Sequence, residues 1–294
     1  MKKPVFTGAN VAIVTPFDES GVNFPVFAQL IEEQIAGGTQ AITVCGTTGE
    51  APTLSDEEHK KAISFCLEQV NGRVPVVAGT GSNDTAYGVE LTKFAAREGA
   101  DAVLAVTPYY NKATQKGLIK YFTALADASD TPVILYHVPS RTNVTISIDT
   151  YCELAKHPNI NGVKEASSDF SLMAKIAARC GDELNFWSGN DDQTVAMMAL
   201  GAKGVISVLS NVAPSITRKL TDLCLAGDFK TATALQSQYL DLMNDLFIEV
   251  NPIPVKTAMN LMGKNVGELR LPLCEMSEGN LKKLEGSLRQ AGLI

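Results

Sequence analysis

The sequence has no C-x-x-C pair, no apolar run approaching a membrane span and no excess of positive charge. Each absence excludes something. The six cysteines (Cys45, Cys66, Cys152, Cys180, Cys224 and Cys274) are scattered through 294 residues. A chain this long builds a core without disulfide or metal staples, so they read as reduced, mostly buried thiols of an intracellular protein. A membrane helix needs about 18 consecutive apolar residues, and none are found. The opening stretch MKKPVFTGANVAIVTPF carries two lysines, then a proline, with no small-residue cleavage site behind it, so a cytoplasmic protein is expected. Lys and Arg number 25 against 32 Asp and Glu, a net charge of −7, which argues against nucleic acid as a partner. A locally positive pocket for a small anion remains compatible with that balance. Aromatic residues make up only 6%, yet 45% of the chain is hydrophobic, and disorder is excluded.

Several motifs are missing too. There is no H-E-x-x-H, and His59, His137 and His157 have no cysteine pair nearby, so no metal site is expected. No G-x-x-x-x-G-K-[ST] is present, which weighs against an NTPase. The one G-x-G, Gly79-Thr80-Gly81, meets Asp84 where the third glycine of a dinucleotide fingerprint belongs. Asp191 and Asp192 read as a helix start rather than a metal site.

What is there is a rhythm. Short β-branched runs without alternation occupy residues 11–17, 41–45, 74–79, 101–107, 132–136, 161–164, 185–188 and 203–208. Such runs suit parallel strands covered on both faces. Amphipathic stretches follow them at 24–37, 56–70, 84–99, 117–129, 148–157, 169–180, 193–200 and 213–226. Ser55 and Asp84 suit N-caps, and Gly99 and Gly227 suit helix ends. Eight βα units in about 225 residues predict a closed (β/α)8 barrel, the TIM-barrel arrangement, over residues 1–227; an open doubly wound sheet is the rival. After Gly227 the strand signals stop. Helices are expected at 228–250, at 254–262 and from Ser277 as cap to Gln290, forming a small all-helical domain over 228–294.

Barrel enzymes carry their chemistry just past the C-terminal ends of the strands. Those places here hold Thr47, Thr48 and Glu50 (CGTTGE), Tyr109 and Tyr110 (TPYYNK), Tyr136 and Arg141, Lys164, and the SGND and ISVLS segments. Lys164 follows Gly162 and Val163 in a strand buried on both sides, so its amine points into the barrel. Burial disfavours an ammonium, and a neutral amine condenses with carbonyls. The alternative is a lysine paired with Glu165 or snorkelling at the rim. If Ile134 and Tyr136 share the inward face, the phenol lies near Lys164 and can pass protons. Arg141, in the loop PSRT, offers a planar fork suited to a carboxylate, or else is a solvated surface residue. Thr47 and Thr48 offer hydroxyls and amides for a small carboxylate, or else form only a tight turn.

The chain resembles the class I, lysine-dependent, pyruvate-using lyases and aldolases, and within them the dihydrodipicolinate synthase family, over its whole length. The stretches that carry the resemblance are GTTGE (46–50), TPYYNK (107–112), Y-x-V-P-x-R-T (136–142), GVKEAS (162–167), SGNDD (188–192), GVISV (204–208) and NPIPVKTAMN (251–260). The resemblance implies a Schiff base between Lys164 and pyruvate, and a proton relay of Tyr136, Thr47 and Tyr110, with Tyr110 reaching into a neighbouring subunit. It implies that Thr48 holds the pyruvate carboxylate and Arg141 the carboxylate of L-aspartate 4-semialdehyde. The backbone of Gly189 and Ile206 would border the pyruvate pocket. No cofactor is implied, since the protein's own amine is the electron sink. The expected assembly is a homotetramer, a dimer of dimers, or else a homodimer.

Two departures from the family pattern stand out. The usual Y-N-V-P-G-R-T reads Y-H-V-P-S-R-T, with His137 and Ser140. The candidate regulatory residues are His59, Asn83 and Tyr109, of which His59 and Asn83 match lysine-inhibited members. Asp56 and Tyr87 stand where those members carry a histidine and a glutamate, so weak or absent inhibition by lysine is expected. Two rival functions are a sister aldolase acting on a sugar acid and a non-catalytic barrel that binds a keto acid.

Overall fold

A computed structural model describes residues 2–294. Eight parallel strands close into a barrel: β1 (Gly8–Ala12), β2 (Ala41–Val44), β3 (Val76–Gly79), β4 (Ala102–Val106), β5 (Val133–His137), β6 (Ile160–Glu165), β7 (Asn185–Ser188) and β8 (Gly204–Ser207). β1 pairs with both β2 and β8, so no edge is left open. Closure disposes of the open-sheet rival. Each strand is followed by a helix: α1 (Phe24–Ala36), α2 (Asp56–Val70), α3 (Thr85–Arg97), α4 (Gln115–Ala126), α5 (Ile148–Ala155), α6 (Phe170–Cys180), α7 (Thr194–Ala199) and α8 (Pro214–Leu225). Four more helices make the C-terminal region: α9 (Phe229–Gln238), α10 (Leu240–Asp245), α11 (Ile253–Leu261) and α12 (Glu278–Gln290). Among the described residues no helix is long and apolar enough to cross a membrane.

Local chemistry explains the helix boundaries. Ser55 and Glu58 form a reciprocal capping box on α2, and Asp84 caps α3 by accepting from the Ala86 amide. Gly99 and Gly227 end their helices at positive φ (91° and 79°). Lys2 donates to three carbonyls at and beyond the C-terminal end of α5, those of Ala155, His157 and Ile160.

Several expectations need correction. α4 starts before Gly117, because Thr114 caps it by accepting the Gly117 amide. The first strand begins at Gly8, earlier than its apolar run, because pairing with β8 aligns Gly8 with Gly204. A Cβ at Gly204 would lie 1.9 Å from the Gly8 carbonyl oxygen, so the close approach demands glycine. The helix expected over 228–250 breaks at Tyr239, whose ψ of 8° leaves helical geometry. Ser277 stands at the start of α12 but does not cap it; its hydroxyl donates to Glu249 instead.

Two apolar layers result. The larger fills the space between the strands and the helices. The smaller fills the barrel interior and includes Phe6, Leu104, Ile134, Tyr136, Trp187 and Ile206. Trp187 is fully buried, stacks on Phe6 with ring centroids 4.9 Å apart, and donates its indole N–H to the Phe6 carbonyl. Gly162 makes room for it, since a Cβ there would sit 2.6 Å from the indole. This plug lies below the site described next.

Candidate active site

Side chains alternate across a strand, so register decides which residues meet inside the barrel. β5 and β6 align Tyr136 with Lys164, after an irregularity near Val133 and Ile134. β6 and β7 align Lys164 with Trp187. The Lys164 side chain therefore shares the inward face with Tyr136, Ile134 and Trp187. Its Nζ lies 4.4 Å from the centre of the Tyr136 ring, and the residue is 5% exposed.

The expected alternative, pairing with Glu165, does not occur. Glu165 falls on the opposite face of β6, toward the helices. There it accepts from His137 Nδ1 (2.9 Å), from the Tyr151 hydroxyl (3.0 Å) and from the Ser167 amide (2.8 Å). His137 Nε2 accepts from the Ile146 amide, so Nδ1 carries the proton. Burial and the Glu165 charge push the Tyr151 phenol far above its ordinary range. His137 is thus turned away from the cavity, and Ser140 is exposed.

The carboxylate that does come near Lys164 is Asp191. It is buried and accepts from the Val208 and Leu209 amides, both at 2.9 Å, tying the β7 end to the β8 end. Burial raises its proton affinity, while hydrogen bonds from Ser207, Leu209 and Val208 and the charge of Lys164 oppose that. Asp191 opens a 3-10 turn, as a helix start, but its inward side chain was not foreseen. Gly189 donates to the Glu165 carbonyl at 2.8 Å, and a Cβ there would sit 3.2 Å from Lys164 Cε. Its backbone consequently lies alongside the lysine. Ile206 is fully buried in the interior layer with Tyr136.

Thr47 and Thr48 stand in the turn after β2. Thr48 is 2% exposed and accepts from Asn251 Nδ2 at 3.0 Å. Arg141 is not in a loop but in a single helical turn, Pro139–Thr142, and donates to the Asn251 carbonyl at 3.0 Å. Asn251 thus joins the hydroxyl and the guanidinium, a link the sequence reading missed. The signal lay in NPIPVKTAMN, of which Asn251 is the first residue. A second omission is Lys256, fully buried, which donates to Glu50 at 2.9 Å and to the Glu268 carbonyl. Glu50 ends the GTTGE turn in left-handed geometry (φ 53°).

A cavity of about 390 Å³ is lined by Thr47, Tyr136, Arg141, Tyr109, His59 and Tyr87 among others, and the Lys164 amine lies behind its wall, against the Tyr136 ring. His59 donates Nε2–H to the Gly79 carbonyl at 2.8 Å, and burial lowers its proton affinity. Asn83 offers its carbonyl to Asn111. Tyr87 donates to Asp56, which also pairs with Lys60. Tyr110 is not brought to this cavity: it is 90% exposed at φ 71°. A phenol, a hydroxyl and a guanidinium on one concave space, with a buried amine directly behind the phenol, suit covalent chemistry on a small carboxylate-bearing carbonyl compound.

Comparisons with known proteins point to one family. Residues 5–291 match the sequence model of the Dihydrodipicolinate synthetase family. A relative from Thermoanaerobacter sp. (strain X514), called 4-hydroxy-tetrahydrodipicolinate synthase, is 54% identical over 99% of this chain and 98% of its own. The crystal structure of dihydrodipicolinate synthase from Aquifex aeolicus superposes with a TM-score of 0.96 at 47% identity, covering 98% of this chain and 99% of that one. A dihydrodipicolinate synthase from Acinetobacter baumannii, complexed with pyruvate, does so with a TM-score of 0.96 at 43% identity and the same coverage. With its barrel, its inward lysine and these full-length likenesses, the chain belongs to the dihydrodipicolinate synthetase family.

Proposed function

We propose that the protein is a 4-hydroxy-tetrahydrodipicolinate synthase, a lyase of lysine and diaminopimelate biosynthesis. It condenses pyruvate with L-aspartate 4-semialdehyde to 4-hydroxy-2,3,4,5-tetrahydrodipicolinate. Lys164 Nζ attacks the pyruvate ketone and, with loss of water, forms an imine. The protonated imine draws electrons from the methyl group, which gives up a proton and becomes an enamine carbon. That carbon attacks the aldehyde of the second substrate. The substrate's amine then displaces Lys164 and closes the six-membered ring. Tyr136, with Thr47 and a partner's Tyr110, moves the protons. Thr48 holds the pyruvate carboxylate beside the backbone of Gly189 and Ile206, and Arg141 holds the carboxylate of the semialdehyde.

The observation that carries this reading is the near-buried amine of Lys164, 4.4 Å from the Tyr136 ring, with its sequence neighbour Glu165 engaged on the other face. Incubation with pyruvate and borohydride tests it. A reduced adduct on the Lys164 peptide is expected; reversible pyruvate binding with that peptide unmodified would overturn the mechanism. Turnover of pyruvate plus the semialdehyde, against cleavage of sugar acids, separates this substrate pair from that of a sister aldolase.

The same reading takes the protein as cytoplasmic and as a homotetramer, a dimer of dimers, or a homodimer. The outward Tyr110 supports assembly, since a residue of the relay needs a neighbouring site to enter. It also takes 1–227 as the catalytic barrel and 228–294 as a helical domain, a boundary supported by α8 ending at Leu225.

A further inference from the structure

We propose that Cys152 and Cys180 form a reversible thiol–disulfide site, closed by small disulfides of the glutathione class, that cross-links α5 to α6 around the strand carrying Lys164. The two sulfurs lie 3.1 Å apart, 28 residues distant in sequence. A disulfide bond is about 2.05 Å long, so closure asks for a shift of about 1 Å in side chains that each turn about one torsion. α5 and α6 pack side by side, and the segment between the cysteines contains all of β6. Tyr151, next to Cys152, holds Glu165, next to Lys164. The cross-link would therefore fasten the layer directly behind the reacting strand.

The two thiols differ in a way that sets an order of events. Cys152 is half-buried and can meet a reagent, whereas Cys180 is 4% exposed. Burial and the neighbouring thiol hold Cys180 in its protonated form. Cys152 thiolate attacks the reagent R–S–S–R, the reagent's S–S bond breaks, and one R–S⁻ leaves and takes a proton. Cys180 then loses its proton and attacks Cys152 Sγ, forming the protein disulfide and expelling the second R–S⁻. The protein gives up two electrons and two protons; the reagent leaves as two thiols. Cys45 and Cys66 are also near one another, but both are fully enclosed and out of a reagent's reach.

The experiment treats the native enzyme with oxidised glutathione, blocks remaining thiols with an alkylating agent and maps tryptic peptides. A linked pair of peptides 142–156 and 180–203 is expected, two hydrogens lighter than their sum and separated by dithiothreitol. The exposed Cys274 is the internal control and should carry glutathione under the same conditions. In Cys180→Ser, Cys152 should retain glutathione as a stable mixed disulfide. Thermal denaturation should occur several degrees higher for the oxidised wild type and be unshifted for oxidised Cys180→Ser. Turnover should stay within about twofold, because neither sulfur borders the cavity. Alkylation of both cysteines while Cys274 is modified, or glutathione left on Cys152 in the wild type, would overturn the proposal.

Discussion

Lys164 and Glu165 are adjacent in sequence yet occupy opposite environments, because a strand sends successive side chains to opposite faces. The amine enters the barrel; the carboxylate enters the helical layer and is satisfied there by His137, Tyr151 and the Ser167 amide. The same alternation separates Tyr136 from His137 on the neighbouring strand. Tyr136→Phe removes only the hydroxyl from the inward face. It should lower kcat by about 100-fold or more while leaving the far-ultraviolet spectrum unchanged. An unaltered kcat would remove Tyr136 from the proton path. Arg141 lines the cavity and is anchored to the Asn251 carbonyl. Arg141→Ala should raise KM for the semialdehyde at least tenfold, with KM for pyruvate within about twofold. Arg141→Lys should recover little, since an ammonium lacks the planar fork.

At the level of elements, the turn after β2 depends on a helix far along the chain. Glu50 is 2% exposed and accepts from Lys256 of α11 and from the Arg270 amide, while Phe17 packs under both cations. Asn251, just before α11, reaches Thr48 in that same turn. Lys256→Met leaves the Glu50 carboxylate buried without its partner and should cost about 3–5 kcal/mol in denaturant unfolding. The double change Glu50→Gln with Lys256→Met should recover part of that loss. A single-variant cost below about 1 kcal/mol would mean that water reaches Glu50.

For the molecule as a whole, the C-terminal region is clamped to the barrel by Arg270, which bridges to Glu58 of α2. That guanidinium is the main reason the Glu58 carboxyl is held down to about 2 from an ordinary 4.5. The folded value is depressed, so the contribution is fully present above pH 4.5 and is lost as pH falls toward 2. Arg270→Ala should lower Tm near neutral pH and flatten its decline between pH 4.5 and 2; parallel curves for the two proteins would refute the clamp. The cavity's outer end makes a separate prediction. Asp56 is engaged by Lys60 and Tyr87, so neither an imidazole nor a free carboxylate of a glutamate stands where lysine-inhibited members present them. Lysine should inhibit weakly or not at all; half-inhibition at low millimolar lysine would contradict this.

The sequence by itself determined the βα rhythm, the barrel, the capping of α2 and α3, and the placing of Lys164, Tyr136, Thr47, Thr48 and Arg141 at strand ends. These are properties of contiguous stretches, where apolar runs and cap residues act within a few positions of one another. Tertiary structure alone decided that Glu165 turns outward into a polar cluster and that Asp191 turns inward and spans two strand ends. It also decided that Asn251 and Lys256 reach back 203 and 206 residues to Thr48 and Glu50. The physical reason is that a hydrogen bond or an ion pair between distant segments leaves no periodic trace in either one. Only barrel closure, which fixes strand register and brings the C-terminal helices against the turn after β2, puts such partners within reach.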